Sequence, residues 1–135
     1  MGSEIERVVR DLYEARARWD LDAVGSLLAE DVGWHEPGEE DYSGHHRGRD
    51  TVLALLARLR EVTDGTFTLE PTDLLVTAEH VVAKIRWSAR RGDAHVTGNE
   101  IAVYRIRHGQ VAEAWFYLDG HDPEMLTQVF SYENS

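Results

Sequence analysis

An α+β fold is what this sequence predicts, and three observations carry the prediction. Apolar residues recur at three- and four-residue steps through the first third and at two-residue steps through the second half. The period changes near Asp64-Gly65, so helices come first and a run of strands follows. Short turn signals, Arg91-Gly92-Asp93 and His108-Gly109, then join the last strand-like runs, which predicts an antiparallel meander.

Each element has its own signal. Ser3 and Glu6 stand as a capping box ahead of Ile5, Val8, Leu12, Ala15 and Trp19, which lie on one face of a helix. Asp20 caps a second, short helix whose buried side is Leu21, Val24, Leu27 and Leu28. Asp31 to Glu36 reads as a short strand ended by Pro37-Gly38, and the polar segment Glu39 to Gly48 reads as a loop. A third helix runs from Arg49 to Glu61 on Val52, Leu53, Leu55, Leu56 and Leu59. Thr66 to Thr77, His80 to Arg90, His95 to Arg107 and Gln110 to Asp119 are the four strands of the second half. Asp122-Pro123 starts a final short helix, with Asp at the cap and Pro at the first helical position. The tail Glu133-Asn134-Ser135 reads as frayed, and with neither repeat nor linker the sequence predicts a single domain over 1–135.

Composition narrows the function classes. With 135 residues, 42% of them apolar and 29% charged, the chain can bury its own core. Fourteen Lys+Arg against 25 Asp+Glu give a net charge of −11, which argues against nucleic-acid and membrane-surface partners. The absence of cysteine excludes disulfides, thiol nucleophiles and thiolate metal sites. Charge spread through the first twenty residues predicts no signal peptide, and the expected location is the cytoplasm.

The strand faces differ in a way that matters. In the last strand Ala112, Ala114, Phe116 and Leu118 share one face, and Glu113, Trp115, Tyr117 and Asp119 the other. The preceding strand places Ile101 and Val103 on the same side as Trp115 and Tyr117. Four such residues on the side away from the helices predict a second buried surface, most simply a homodimer interface.

Several segments carry a family resemblance: Asp20-Leu21-Asp22, Leu28-Ala29-Glu30-Asp31-Val32, Glu36-Pro37-Gly38, Gly48-Arg49-Asp50, Arg105-Ile106-Arg107-His108-Gly109, and Glu113-x-Trp115-x-x-x-Asp119. Over almost its whole length the chain resembles the nuclear transport factor 2-like superfamily. Within it the chain is most similar to SnoaL-like polyketide cyclases and ketosteroid isomerase-like proteins. The resemblance implies a cone-shaped, curved antiparallel sheet wrapped around three helices, with a deep apolar pocket between them. It also implies roles: Glu36 at the position of the isomerases' carboxylate base, with Trp34 as a pocket aromatic beside it. Ile85, Trp87, Glu100, Ala102 and Tyr104 would face the cavity, and Ala114, Phe116 and Leu118 would complete its wall. The known catalytic sets are not intact. The steroid isomerases' oxyanion-hole tyrosine and acid fall on Leu12 and Ala102, with Tyr13 one residue away. The cyclases' last-strand acid falls on Phe116, and the Asp-Arg-Asp set of limonene epoxide hydrolases on Trp87, Ile85 and Phe116.

Two readings of each candidate stand side by side. Glu36 is a buried general base of raised pKa, or a loop cap bonded to His45 or Arg47. Glu100 is paired with an arginine, or forms an acid/base pair with Glu36. Tyr104 donates to a developing enolate, or packs. Trp19, Trp34, Trp87 and Phe116 stack on a flat ligand, or fill core volume. His45 is a proton shuttle at the pocket mouth, or solvent-facing. The histidines fit no helical metal-ligand spacing, so no metal is expected. The resulting expectation is a cofactor-independent isomerase, cyclase or dehydratase acting on a small hydrophobic carbonyl compound. The alternative is a non-catalytic binding or sensing domain.

Overall fold

The computed structural model describes residues 2–133, without the side chain of Ser3. The capping pair at Ser3 and the final Asn134-Ser135 therefore lie outside the described residues. The order is α1 (Gly2–Ala17), α2 (Leu21–Ser26), β1 (Leu28–Glu36), β2 (Gly44–Arg47), α3 (Arg49–Val62), β3 (Thr68–Val76), β4 (His80–Arg91), β5 (Ala94–Arg107), β6 (Gln110–Asp119) and α4 (Pro123–Phe130). Three helices, with β1 and β2 between the second and third, precede the four long strands as the change of period predicts, and the expected caps at Asp20 and Asp122 form. Asp20 accepts from the Ala23 amide at 3.1 Å, and Asp122 from the Glu124 and Met125 amides at 2.9 and 3.3 Å.

All six strands form one sheet in the order β2-β1-β6-β5-β4-β3. Every pair is antiparallel except β1 with β6, which is parallel. The β5–β6 hairpin turns on His108 and Gly109, with φ of 55° and 74°, the left-handed pair that a two-residue turn needs. Pro71 lies on the edge strand β3 where its register with β4 shifts, a position that needs no ladder N–H.

Two sequence expectations are corrected. Leu28 opens β1 instead of closing the second helix, and the segment read as a loop contains β2, whose His45 and His46 pair with His35 and Trp34. The core lies between the buried sheet face and α1, α3 and α4. Val9, Leu12, Leu56, Val52, Trp34 and Tyr104 are among its most deeply buried members. No helix among the described residues is long and apolar enough to cross a membrane.

Candidate active site

Strand alternation assembles the site. Trp34 and Glu36, two residues apart on β1, share the inward face, and the Trp34 indole N–H donates to Glu36 Oε2 at 2.8 Å. Glu100 on β5 lies between Ile85 of β4 and Leu118 of β6. Trp87 on β4 faces Gly98, where a Cβ would come within 2.8 Å of the indole ring. The glycine is what lets this tryptophan lie against the sheet. α1 adds Arg16, one turn after Leu12 and two after Val9, so its charged head falls on the buried stripe.

Arg16, Glu36, Trp87 and Glu100 line one cavity, walled by Phe67, Phe116, Leu126 and Phe130. The centre of a water molecule has about 30 Å³ in which to move there. That is room for a few waters or a short-chain molecule, narrower than the deep pocket the resemblance implies. α4 is the physical reason: its Phe130 packs edge-on against Phe67 and Tyr42, with ring centroids 5.1 and 5.6 Å apart, and also against Trp87.

The charges are unusually placed. Arg16 is only 7% exposed, and its guanidinium lies over the Trp34 ring, 5.7 Å from the centroid. The guanidinium has no hydrogen bond or ion pair with any described residue. Glu36 retains some exposure as a residue, but its carboxyl is surrounded by protein. Burial raises its pKa, against the opposing pull of the Trp34 N–H, Arg16 and His46. Glu100 is pushed up to about 8 by burial and by the neighbouring Glu36 carboxyl, with Arg16 acting the other way. Glu100 Oε1 and Trp87 Nε1 are buried and lack a partner among the described residues. Two carboxyls of raised proton affinity can take up and return a proton within one small cavity.

The predicted residues distribute unevenly. Glu36, Glu100, Trp87, Phe116 and Leu118 line the cavity. Trp34, Ile85, Ala102, Tyr13 and Tyr104 are buried behind that lining. Tyr104 is corrected from ligand donor to core pair: its hydroxyl meets that of Tyr13 at 2.6 Å, and burial raises both phenols' pKa values. Glu36 bonds neither His45 nor Arg47, and Glu100 makes no ion pair with an arginine.

Trp19 does not reach the cavity. α1 stops at Ala17, Trp19 takes a φ of 55°, and its ring stacks under Arg60. His45 is likewise displaced. Pairing with His35 puts it on the outer sheet face, where the His45 and His35 Nδ1 atoms lie 2.9 Å apart. His46 is the histidine that shares the inner side with Glu36, and its Nε2 engages the Tyr42 carbonyl at 2.7 Å. His35, His45 and Glu113 offer metal-ligand atoms within 4.8 Å of one another, but they bond one another, and Arg47 and Arg105 flank the carboxylate. Sequence reasoning missed Arg16, Tyr42, Phe67, Leu126 and Phe130. Only Arg16 left a signal, its place on the periodic stripe of α1.

Comparison with known proteins matches this architecture. The chain is 31% identical over 114 residues to the uncharacterized protein Rv0034 of Mycobacterium tuberculosis (strain ATCC 25618 / H37Rv), covering 83% of this chain and 87% of that one. Among solved structures, Bal32a from a soil-derived mobile gene cassette superposes with a TM-score of 0.88 at 24% identity, covering 96% and 98% of the two chains. A Kribbella flavida protein provisionally assigned as a ketosteroid isomerase gives 0.73 at 18% identity, covering 88% of this chain and 80% of that one. IdmH of Streptomyces antibioticus, provisionally assigned as a polyketide cyclase, gives 0.74 at 20%, covering 91% and 96%. These likenesses establish the nuclear transport factor 2-like fold. Residues 9–114 match the SnoaL-like domain model, and the chain belongs to the SnoaL-like domain family.

Proposed function

We propose that the protein is a cofactor-independent proton-transfer enzyme, of isomerase, cyclase or dehydratase type, acting on a small carbonyl compound. Glu36 is the general base. The observation that carries this reading is the pair of inward carboxyls, both raised in proton affinity, in a cavity whose walls beyond them and Arg16 are largely apolar. Ionised Glu36 removes a proton alpha to the carbonyl, breaking the C–H bond as its electron pair moves toward the carbonyl oxygen. Glu100, still protonated at neutral pH, gives its proton to that oxygen; the enol then collapses as Glu36 returns its proton to carbon and Glu100 takes back the O–H proton. The fold's kinship with isomerases and cyclases is in keeping with this chemistry.

Solvent deuterium exchange into pentane-2,4-dione, followed by proton NMR, tests the base. Glu36→Gln is expected to slow catalysed exchange by about 100-fold or more while circular dichroism stays native. Exchange at the wild-type rate in that variant removes the mechanism and leaves the non-catalytic binding domain as the reading.

We also propose a homodimer through the outer sheet face, because Ile101 and Tyr117 are 37% and 56% exposed beside the partly exposed Val103 and Trp115. Sedimentation at micromolar concentration is expected to give a dimer, and Tyr117→Lys a monomer.

A further inference from the structure

We propose that the cavity takes a short-chain oxo-acid, its carboxylate on the Arg16 guanidinium and its carbonyl oxygen on the Trp87 indole N–H. This deepens the proton-transfer reading of the same site by naming the substrate class.

The Arg16 guanidinium presents five N–H donors in a planar fork. It is more than nine-tenths buried, yet no described residue accepts from it and no carboxylate lies within ion-pair distance. A buried cation in that condition costs free energy that an anion in the same cavity would offset. Neither protein carboxyl fills that place: Glu36 Oε2 takes the Trp34 N–H, and Glu100 Oε1 stands alone. The shape of the fork favours a carboxylate, which can accept two parallel N–H bonds.

A second observation fixes the rest of the ligand. Trp87 is 3% exposed and lines the same cavity, and its Nε1 has no acceptor. An indole N–H is a donor only, so it calls for an acceptor, which a carbonyl oxygen of the ligand supplies once the carboxylate is on Arg16. The remaining walls, Phe67, Phe116, Leu126 and Phe130, accept hydrocarbon. The cavity is small, which suits a short carbon chain. A phosphate ester fits poorly, because one guanidinium would face a dianion in company with two carboxyls.

The test uses two probes of one carbon skeleton, acetoacetate and the uncharged pentane-2,4-dione, titrated by calorimetry into the full chain. Acetoacetate is expected to bind about ten-fold more tightly. Arg16→Gln is expected to erase that preference and Arg16→Lys to keep part of it. Trp87→Phe should weaken both probes alike. Equal binding of the two probes, no acetoacetate binding at all, or an undiminished acid preference in folded Arg16→Gln overturns the proposal. Should Arg16→Gln fail to fold, the probe ratio in wild type and in Trp87→Phe still decides it. Deuterium exchange separates this inference from the chemistry beneath it. Acid preference without exchange supports the anion site and removes the base, whereas exchange of the dione without acid preference keeps the base and overturns the anion site.

Discussion

Glu100 and Glu113 sit on adjacent strands of one sheet, and little of either is exposed, yet their carboxyls are driven in opposite directions. Glu100, on the inner face, is raised to about 8. Glu113, on the outer face, is lowered, because cations outweigh its burial. His35 Nε2 meets its Oε2 at 2.5 Å, with Arg47 at 3.7 Å and Arg105 at 3.6 Å. Gly33 makes that crowding feasible, since a Cβ there would fall 2.5 Å from the same carboxylate. Exposed area therefore does not set the state of a carboxyl in this protein. Depth and the sign of the nearest charge do: the inner acid has another carboxyl for a neighbour, and the outer one has three potential cations.

The largest expected effect comes from neutralising the inner acid. Folded Glu100 keeps its proton to about pH 8, while in the unfolded chain it titrates near the ordinary 4.5. The folded state thus binds more protons across that window, and stability falls as pH rises through it. Glu100→Gln should flatten the decline, stabilising the protein by a few kcal/mol (order of magnitude) at pH 9 and by almost nothing at pH 4, measured by urea unfolding. An unchanged pH slope would break the contrast. The outer acid should behave with the opposite sign. Glu113 contributes stability above pH 4.5 that is lost as the pH falls below it. Glu113→Gln should cost about 1–2 kcal/mol at pH 7 and progressively less as the pH falls below 4.5, because the cations lose their partner only where Glu113 would be ionised.

The same two faces show how much was legible beforehand. β4 to β6 could be read from the sequence because their inner residues are mostly apolar and mostly alternate, and Glu100 could be placed inward by that alternation. β2 could not. Gly44-His45-His46-Arg47 has no apolar residue, and backbone pairing to β1 alone makes it a strand. Without that strand nothing in the sequence separates the two adjacent histidines, since only the register shows that His46 faces inward and His45 outward. Trp19 continued the helical period on paper, but the helix ends two residues before it. Cavity size was invisible for another reason. It depends on α4 folding back so that Phe130 meets Phe67 and Trp87, contacts far apart in the chain. Arg16 was legible in principle, because position alone puts it on the buried stripe; a charged residue there signals a site more than a surface.

Between the two extremes lies a buried pair without charge. The Tyr13 and Tyr104 hydroxyls meet at 2.6 Å in a core where neither phenol ionises, burial holding both pKa values up. Such a pair gains no Coulomb energy and loses hydration, so its net worth should be that of one neutral hydrogen bond. Tyr13→Phe strands the Tyr104 hydroxyl and should cost about 1 kcal/mol, as should Tyr104→Phe for the opposite partner. Removing both leaves two apolar rings that still pack edge to face, their centroids 6.0 Å apart in the native chain. The double variant should therefore be less destabilised than the two single losses combined, with a coupling of about 1 kcal/mol by urea unfolding. Additive losses would mean that each hydroxyl is satisfied independently, and the inner face would then tolerate polar groups without pairing them. The raised carboxyls would be the first to lose their explanation, because they rest on that intolerance.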